Sequence, residues 1–221
     1  MPEVLDKGFV ELVDSMGDDS SIVQAARVSY GAGTKTKRSD SGLIKYLMRN
    51  DHTSPFEMVE FKFHIKAPLF VARQWLRHRT ASVNEISGRY SEIEDEFYIP
   101  AYQDICYQST DNKQGRGDAV PVYKAVEVIT AIEKANANAY AEYKNLLDLG
   151  VAKELARVVL PLNIYTRWYW KIDLHNLLHF LSLRLDNHAQ LEIRRYAQAI
   201  LGLIKPTVPV TLEAWENKRS S

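Results

Sequence analysis

From Glu57 to Lys66 the chain alternates polar and apolar side chains around Val59, Phe61, Phe63 and Ile65. At Pro68 the alternation gives way to the apolar run that reaches Leu76. A period of two is that of a strand with one buried face. Pro68 suits the first turn of a helix, because its missing N–H costs nothing there, and a helix is expected over Leu69–Arg79. A strand feeding directly into a helix commits the chain to a mixed architecture in which helices cover a sheet.

The rest of the chain fits that frame. Gly8–Val13 is β-compatible, Asp18–Ser21 offers N-caps for a helix over Ile22–Ser29, and Gly31–Asp40 reads as a polar loop. A helix is expected over Ser41–Arg49, a turn over Asp51–Pro55, and an exposed loop over Tyr102–Asp118, whose polar, glycine-containing centre suggests a mobile flap near a substrate entrance. Pro121 and Gly150 bracket a long helix over Val122–Leu149. A short helix over Ala152–Leu160 stops at Pro161, and the aromatic, β-branched stretch Ile164–Ile172 reads as a strand suited to a buried interface through Trp168, Tyr169 and Trp170. Helices follow over Leu174–Leu185 and Ala189–Leu203, and the tail Pro206–Ser221 is expected to be flexible and to end disordered. The expectation is one α+β domain, a small antiparallel sheet flanked by several helices, with its core over about residues 5–205.

Composition narrows the functional classes. The 221 residues are 46% apolar and 25% charged, with zero formal net charge, so broad electrostatic binding to nucleic acid or anionic membrane is not expected. The single cysteine, Cys106, excludes an intrachain disulfide and points to a reducing compartment, the cytoplasm. The first residues lack the apolar core of a signal peptide, and no uncharged run has the length of a membrane span.

Chemistry concentrates in Arg77–Arg89, RHRTASVNEISGR, where three arginines, a histidine, a glutamate, an asparagine and two serines follow the apolar run. Arginine offers a planar fork of donors that matches phosphate and carboxylate oxygens. Taken alone, Arg77-His78-Arg79 is explained by favourable charge at a helix C-terminus. The following segment adds Glu85 and Ser87 as hydrogen-bonding partners, Gly88 for close backbone approach and Arg89 for a phosphate, with Gln74 on the same helix face as Arg77. Arg184 lies at the edge of the stripe Leu174, Leu177, Leu178, Leu181 and Leu185, and a guanidinium there needs a partner: either a structural ion pair, with Glu192 the candidate, or a ligand. Arg157 raises the same question more weakly and, taken alone, is better explained by an exposed face of an amphipathic helix.

His175 and His179 are spaced as in a zinc-protease helix, but Asn176 replaces the general base and no third ligand sits at a diagnostic spacing. Ser54 and Glu57 have capping-box spacing. His52 suits a turn or cap, His188 a cap or a ligand contact, and His64 a strand surface. Glycine-rich nucleotide loops are absent.

Arg77-His78-Arg79-x-x-Ser82-x-Asn84-x-x-Ser87-x-Arg89 resembles, at every fixed position, the RHRxxSxNxxSxR signature of the flavin-dependent thymidylate synthases. VLDKGFVELVD, AARVS, SPFE, LPLNxYTR and LxLRxDxHAQxEI extend the resemblance over residues 5–200. It implies reductive methylation of dUMP to dTMP, with 5,10-methylenetetrahydrofolate as carbon donor, non-covalent FAD as hydride carrier and NADPH as reductant. Such a route needs no protein nucleophile, in keeping with a Cys106 that has no evident activating partner. By resemblance, Gln74, Arg77, Glu85, Ser87, Gly88 and Arg89 bind dUMP. Arg157 and Arg184 reach it from a neighbouring subunit of a homotetramer whose active sites lie between subunits, and Arg184 stabilises a uracil ionised at N3. Ser54, Arg77, His78, Arg79, Glu85, Asp173, His175 and His179 resemble the FAD-binding set; Asp173 departs from the family in placing a carboxylate where an amide is usual. No metal is implied. Two other classes stand beside this reading: a nucleic-acid module using Arg77, Arg79, Arg89, Arg194 and Arg195, disfavoured by the zero net charge, and a zinc hydrolase using His175 and His179.

Overall fold

The computed structural model describes residues 2–28 and 39–219; the loop expected over Gly31–Asp40 lies, up to position 38, outside the described residues. The chain runs β1 (Glu3–Val4), β2 (Gly8–Met16), α1 (Asp19–Arg27), α2 (Asp40–Arg49), β3 (Glu60–Pro68), α3 (Leu69–Trp75), β4 (Ser82–Glu85), β5 (Cys106–Gln108), β6 (Arg116–Ala119), α4 (Val122–Asp148), α5 (Lys153–Ala156), β7 (Tyr165–Asp173), α6 (Leu174–Arg184), α7 (Leu191–Ile204) and α8 (Pro209–Arg219). Five strands form one antiparallel sheet in the order β1-β2-β3-β7-β4, and β5 pairs with β6 apart from it.

The alternation seen in the sequence becomes the buried face of this sheet. Phe61, Phe63 and Ile65 of β3 stand opposite Ile172, Trp170 and Trp168 of β7, and all six side chains are buried. Trp75, at the end of α3, meets both Trp168 and Trp170 edge-on at 5.3 Å between ring centroids and lies 5.0 Å from Phe180 of α6. Edge-to-face aromatic packing of this kind fixes orientation as well as burying area. Trp168 and Trp170 are therefore core of their own chain, not the interface suggested by the sequence; only Tyr169, on the other face and stacked on His64 at 4.8 Å, is exposed.

Three further expectations are corrected. The helix after Pro68 ends at Trp75, and the chain turns so that Ser82–Glu85 can pair with Lys171–Trp168 as an edge strand. All four β4 side chains are exposed, so no apolar alternation announced it. The Tyr102–Asp118 segment is not an irregular loop throughout. It contains the β5–β6 hairpin, and Asp104 within it accepts two hydrogen bonds from Arg195, each 2.7 Å. Arg116 of β6 donates to the Asp104 carbonyl at 3.2 Å and pairs with Glu192. These anchors also occupy Arg195, which the nucleic-acid reading required at a surface.

The tail expected to be flexible forms α8, with Leu212 and Trp215 buried. Its first turn is satisfied from far away in sequence: the Asp19 carboxylate accepts from the Val210 and Thr211 N–H groups at 2.8 and 3.1 Å and from Thr211 Oγ1 at 2.6 Å. Gly150, at φ +79°, takes the left-handed conformation that terminates α4.

Candidate active site

The proposed site residues fall into three places. The first is the C-terminal end of α3. Gln74 lies on its last turn, and His78 follows it. Arg184, the last residue of α6, donates from Nε to His78 Nε2 at 3.0 Å and from Nη2 to the Gln74 carbonyl at 3.4 Å. Burial, then the nearby Arg184 charge and His179, push the His78 pKa down to about 4, so the ring is neutral at pH 7. A neutral imidazole that accepts at Nε2 carries its proton on Nδ1. The ion pair between Arg184 and Glu192 suggested by the sequence does not form, because Glu192 is held by Arg116. Among the described residues no carboxylate forms a salt bridge with Arg184. Burial lowers its pKa from the usual arginine value. Arg77 and Arg79 are exposed beside this cluster.

The second place is a cavity of about 350 Å³ at the start of α3, lined by Leu69, Glu85, Ser87, Gly88, Arg157 and Thr166 among others. Glu85 Oε1 accepts from Thr166 Oγ1 at 2.5 Å, and Ser87 Oγ accepts from the Arg89 N–H at 3.3 Å. A Cβ added at Gly88 would lie 2.9 Å from Ile93 Cδ1 and 3.5 Å from Arg157 Cδ, so the side chains of its own chain already crowd this glycine. Arg89 Nε donates to Glu154 at 3.0 Å, and Arg157 Nε to the Glu154 carbonyl at 3.3 Å, so both guanidinium groups border one carboxylate-bearing residue. Arg157 follows α5 in a short 3-10 turn and is exposed; it shares a cavity with Ser87 and Gly88 of its own chain, whereas Arg184 does not.

The third place is a cavity of about 310 Å³ whose lining includes His52, Thr53, His175, His179, Lys218 and Arg219 over the apolar side chains of Leu47, Leu178 and Trp215. The His179 ring lies 6.0 Å from that of His78, which joins this cavity to the first cluster. Three imidazoles, Arg219 and a Lys218 that pairs with Asp51 at 2.5 Å, over an apolar floor, suit a large anionic cofactor with flat rings. Lys218 and Arg219 escaped sequence reasoning because the tail was expected to be disordered; Trp215, a large apolar residue in that polar tail, was the available signal. Asp173 has a structural role here: as N-cap of α6 it accepts from the Asn176 N–H at 2.9 Å and from Asn176 Nδ2 at 2.6 Å. Ser54 is exposed outside the cavity lining, and the 3-10 turn Phe56–Met58 has no side-chain cap, so the suggested capping box is not formed. Among the described residues, no three His, Cys, Asp or Glu side chains are arranged to hold a metal ion.

The chain as a whole is similar to known proteins. Residues 11–210 match the family described as "Thymidylate synthase complementing protein". A flavin-dependent thymidylate synthase of Treponema denticola is 60% identical over 215 residues, covering 97% of this chain and 81% of the relative. One from Thermus thermophilus is 61% identical over 213 residues, covering 96% and 77%. The crystal structure of a UMP/dUMP methylase, PolB from Streptomyces cacaoi, bound with 5-Br UMP, superposes with a TM-score of 0.89 at 38% identity over 98% of this chain and 96% of that one.

Proposed function

The chain belongs to the flavin-dependent thymidylate synthases, and we propose that it holds its nucleotide between two sets of residues lying at opposite ends of α3. It catalyses the reductive methylation of dUMP to dTMP, with methylenetetrahydrofolate as carbon donor and NADPH as reductant. Gln74, Arg77 and Arg184 form one set; Glu85, Ser87, Gly88, Arg89 and Arg157 form the other. Leu69 lines the second set's cavity and Gln74 lies on the last turn of the helix, about 7.5 Å further along its axis at 1.5 Å per residue.

Arg184 carries the reading. It is a partly buried guanidinium whose Nε donates to a neutral ring rather than to a carboxylate. Its charge is thus held in place without being cancelled. A fixed, uncompensated cation in a partly dry site stabilises an anion that forms during reaction, here a uracil ionised at N3, which raises electron density at C5. Ser87, the backbone at Gly88, Arg89 and Arg157 supply donors for the phosphate.

FAD carries the hydride when bound. His175 and His179, with Lys218 and Arg219 of α8, would hold its anionic part, while His78, Arg77 and Arg79 border the passage toward Arg184. Ser54 and Asp173 are the members of the resemblance set with least support, since one lies outside the cavity lining and the other caps a helix.

The two nucleotide-binding sets meet across subunits of a homotetramer. Leu155 and Val158, beside Arg157, are 61% and 74% exposed, and Val83 of the edge strand β4 and Ile86 just after it are exposed too, which gives apolar side chains for a second copy. Among the described residues no helix is long and apolar enough to cross a membrane. The single cysteine supports a cytoplasmic location. Mixing two inactive proteins, Arg184→Ala and Arg157→Ala, tests the arrangement. Sites built between subunits regain dTMP formation in the mixture, because some sites then contain both arginines. A mixture as inactive as its components would refute it.

A further inference from the structure

The motif His188-Ala189-Gln190-x-Glu192 has no part in the function above, yet it touches the site. Glu192, 1% exposed, is among the most buried charged residues of the protein. Its Oε1 accepts from Tyr98 OH at 3.1 Å and from Arg116, which pairs it, and its Oε2 accepts from Gln190 Nε2 at 2.9 Å. Gln190 Oε1 in turn accepts from Gln74 Nε2. We propose that Glu192 and Gln190 are positioning residues that dictate which end of the Gln74 carboxamide faces the nucleotide.

A carboxamide's two ends are nearly the same shape and differ only in hydrogen bonding. Left to themselves, Gln74 and Gln190 could pair in either sense. Paired with Arg116, Glu192 is an acceptor only. Gln190 must therefore turn its NH₂ to Glu192 and its carbonyl to Gln74. Gln74 must then turn its NH₂ to Gln190, which leaves Oε1 to face away. The Gln74 backbone carbonyl receives Arg184 Nη2 at 3.4 Å, so the residue that carries this oriented amide also contacts the substrate-activating cation. The site consequently offers a donor from Arg184 and an acceptor from Gln74. The acceptor suits an O–H or N–H of the nucleotide, and a flipped amide would set donor against donor. The cost of burying Glu192 is offset by the Arg116 pair and the Tyr98 hydroxyl, and Arg116 belongs to the β5–β6 hairpin, so the hairpin serves as an anchor for the relay.

The inference rests on Gln74 contacting dUMP, and the test separates the two claims. The dissociation constant of dUMP is measured on the FAD-loaded protein for Gln74→Ala, Gln190→Ala and the double variant. Each single change is expected to weaken binding about tenfold, the worth of one well-placed hydrogen bond. The double variant is expected to bind no more weakly than the weaker single, because Gln190 acts only through Gln74. Glu192→Gln, which keeps the side chain's shape and allows both amides to flip, is expected to weaken dUMP by a similar factor when Gln74 is present and to have no effect in Gln74→Ala. Wild-type affinity in Gln74→Ala would overturn the placement of Gln74, and the relay with it. Tenfold loss in Gln74→Ala with wild-type affinity in Gln190→Ala, or an additive loss of about a hundredfold in the double variant, would overturn the relay alone.

Discussion

Arg184 and His78 are joined by a hydrogen bond of 3.0 Å from Nε to Nε2, across more than a hundred residues of chain. The bond holds a charged group with a neutral one. An ion pair would have held Arg184 as firmly but would have cancelled the field that a developing anion needs.

Replacing Arg184 by alanine is expected to lower kcat for dTMP formation by about a hundredfold or more, the scale of losing one preorganised electrostatic group. The fold should persist, since no ion pair among the described residues is broken. Turnover near that of the wild type, with unchanged circular dichroism, would remove Arg184 from its role.

His78 also makes stability depend on pH. Its pKa is near 4 folded, against the usual 6.5, so the unfolded chain binds more protons between those values. Stability from this group is present above pH 6.5 and is lost as pH falls toward 4. Urea midpoints of the ligand-free protein should drop through that window, and His78→Gln should flatten the drop. An unchanged profile in that variant would show that other groups govern it.

Asp173 separates a structural role from a cofactor role. Asp173→Ala removes the N-cap of α6 and should cost about 1 kcal/mol in chemical denaturation, while Asp173→Asn should cost far less. Flavin retention should follow stability in both variants. Flavin lost selectively from Asp173→Asn at unchanged stability would assign the carboxylate to the cofactor.

The Asp104–Arg195 pair pins the β5–β6 hairpin, with the Asp104 side chain 5% exposed. Arg195→Met would leave a buried carboxylate unpaired and should destabilise the protein by about 3 kcal/mol. Limited proteolysis between Ser109 and Gly115 should accelerate as well. A hairpin as resistant as the wild type would mean that Arg116 suffices to hold it.

Much of this fold was legible wherever one face of an element is buried and the other wet. The alternation of β3, the leucine stripe of α6, and the proline and glycine that bracket α4 all mark their elements locally. β4 was invisible because an edge strand with both faces exposed needs no apolar period. The β5–β6 hairpin and α8 were misread because their order comes from distant partners: Arg195 and Glu192 for one, Asp19 and Ser182 for the other. A charged partner elsewhere in the chain leaves no trace in the local pattern that it stabilises.

The site divides in the same way. The sequence by itself determined which chemical groups are present, because the Arg77–Arg89 segment, Arg184 and the paired histidines carry their donors and charges wherever the fold places them. Only the tertiary structure decided how they are grouped and in what state. It set Arg157 beside Gly88 and Arg184 beside His78, drew Lys218 and Arg219 into one cavity with His175 and His179, and made Asp173 a helix cap. The physical reason is that hydrogen bonding, burial and pKa depend on distances that close only when the sheet and helices pack. A residue's charge and donor geometry, by contrast, are carried by its own covalent structure.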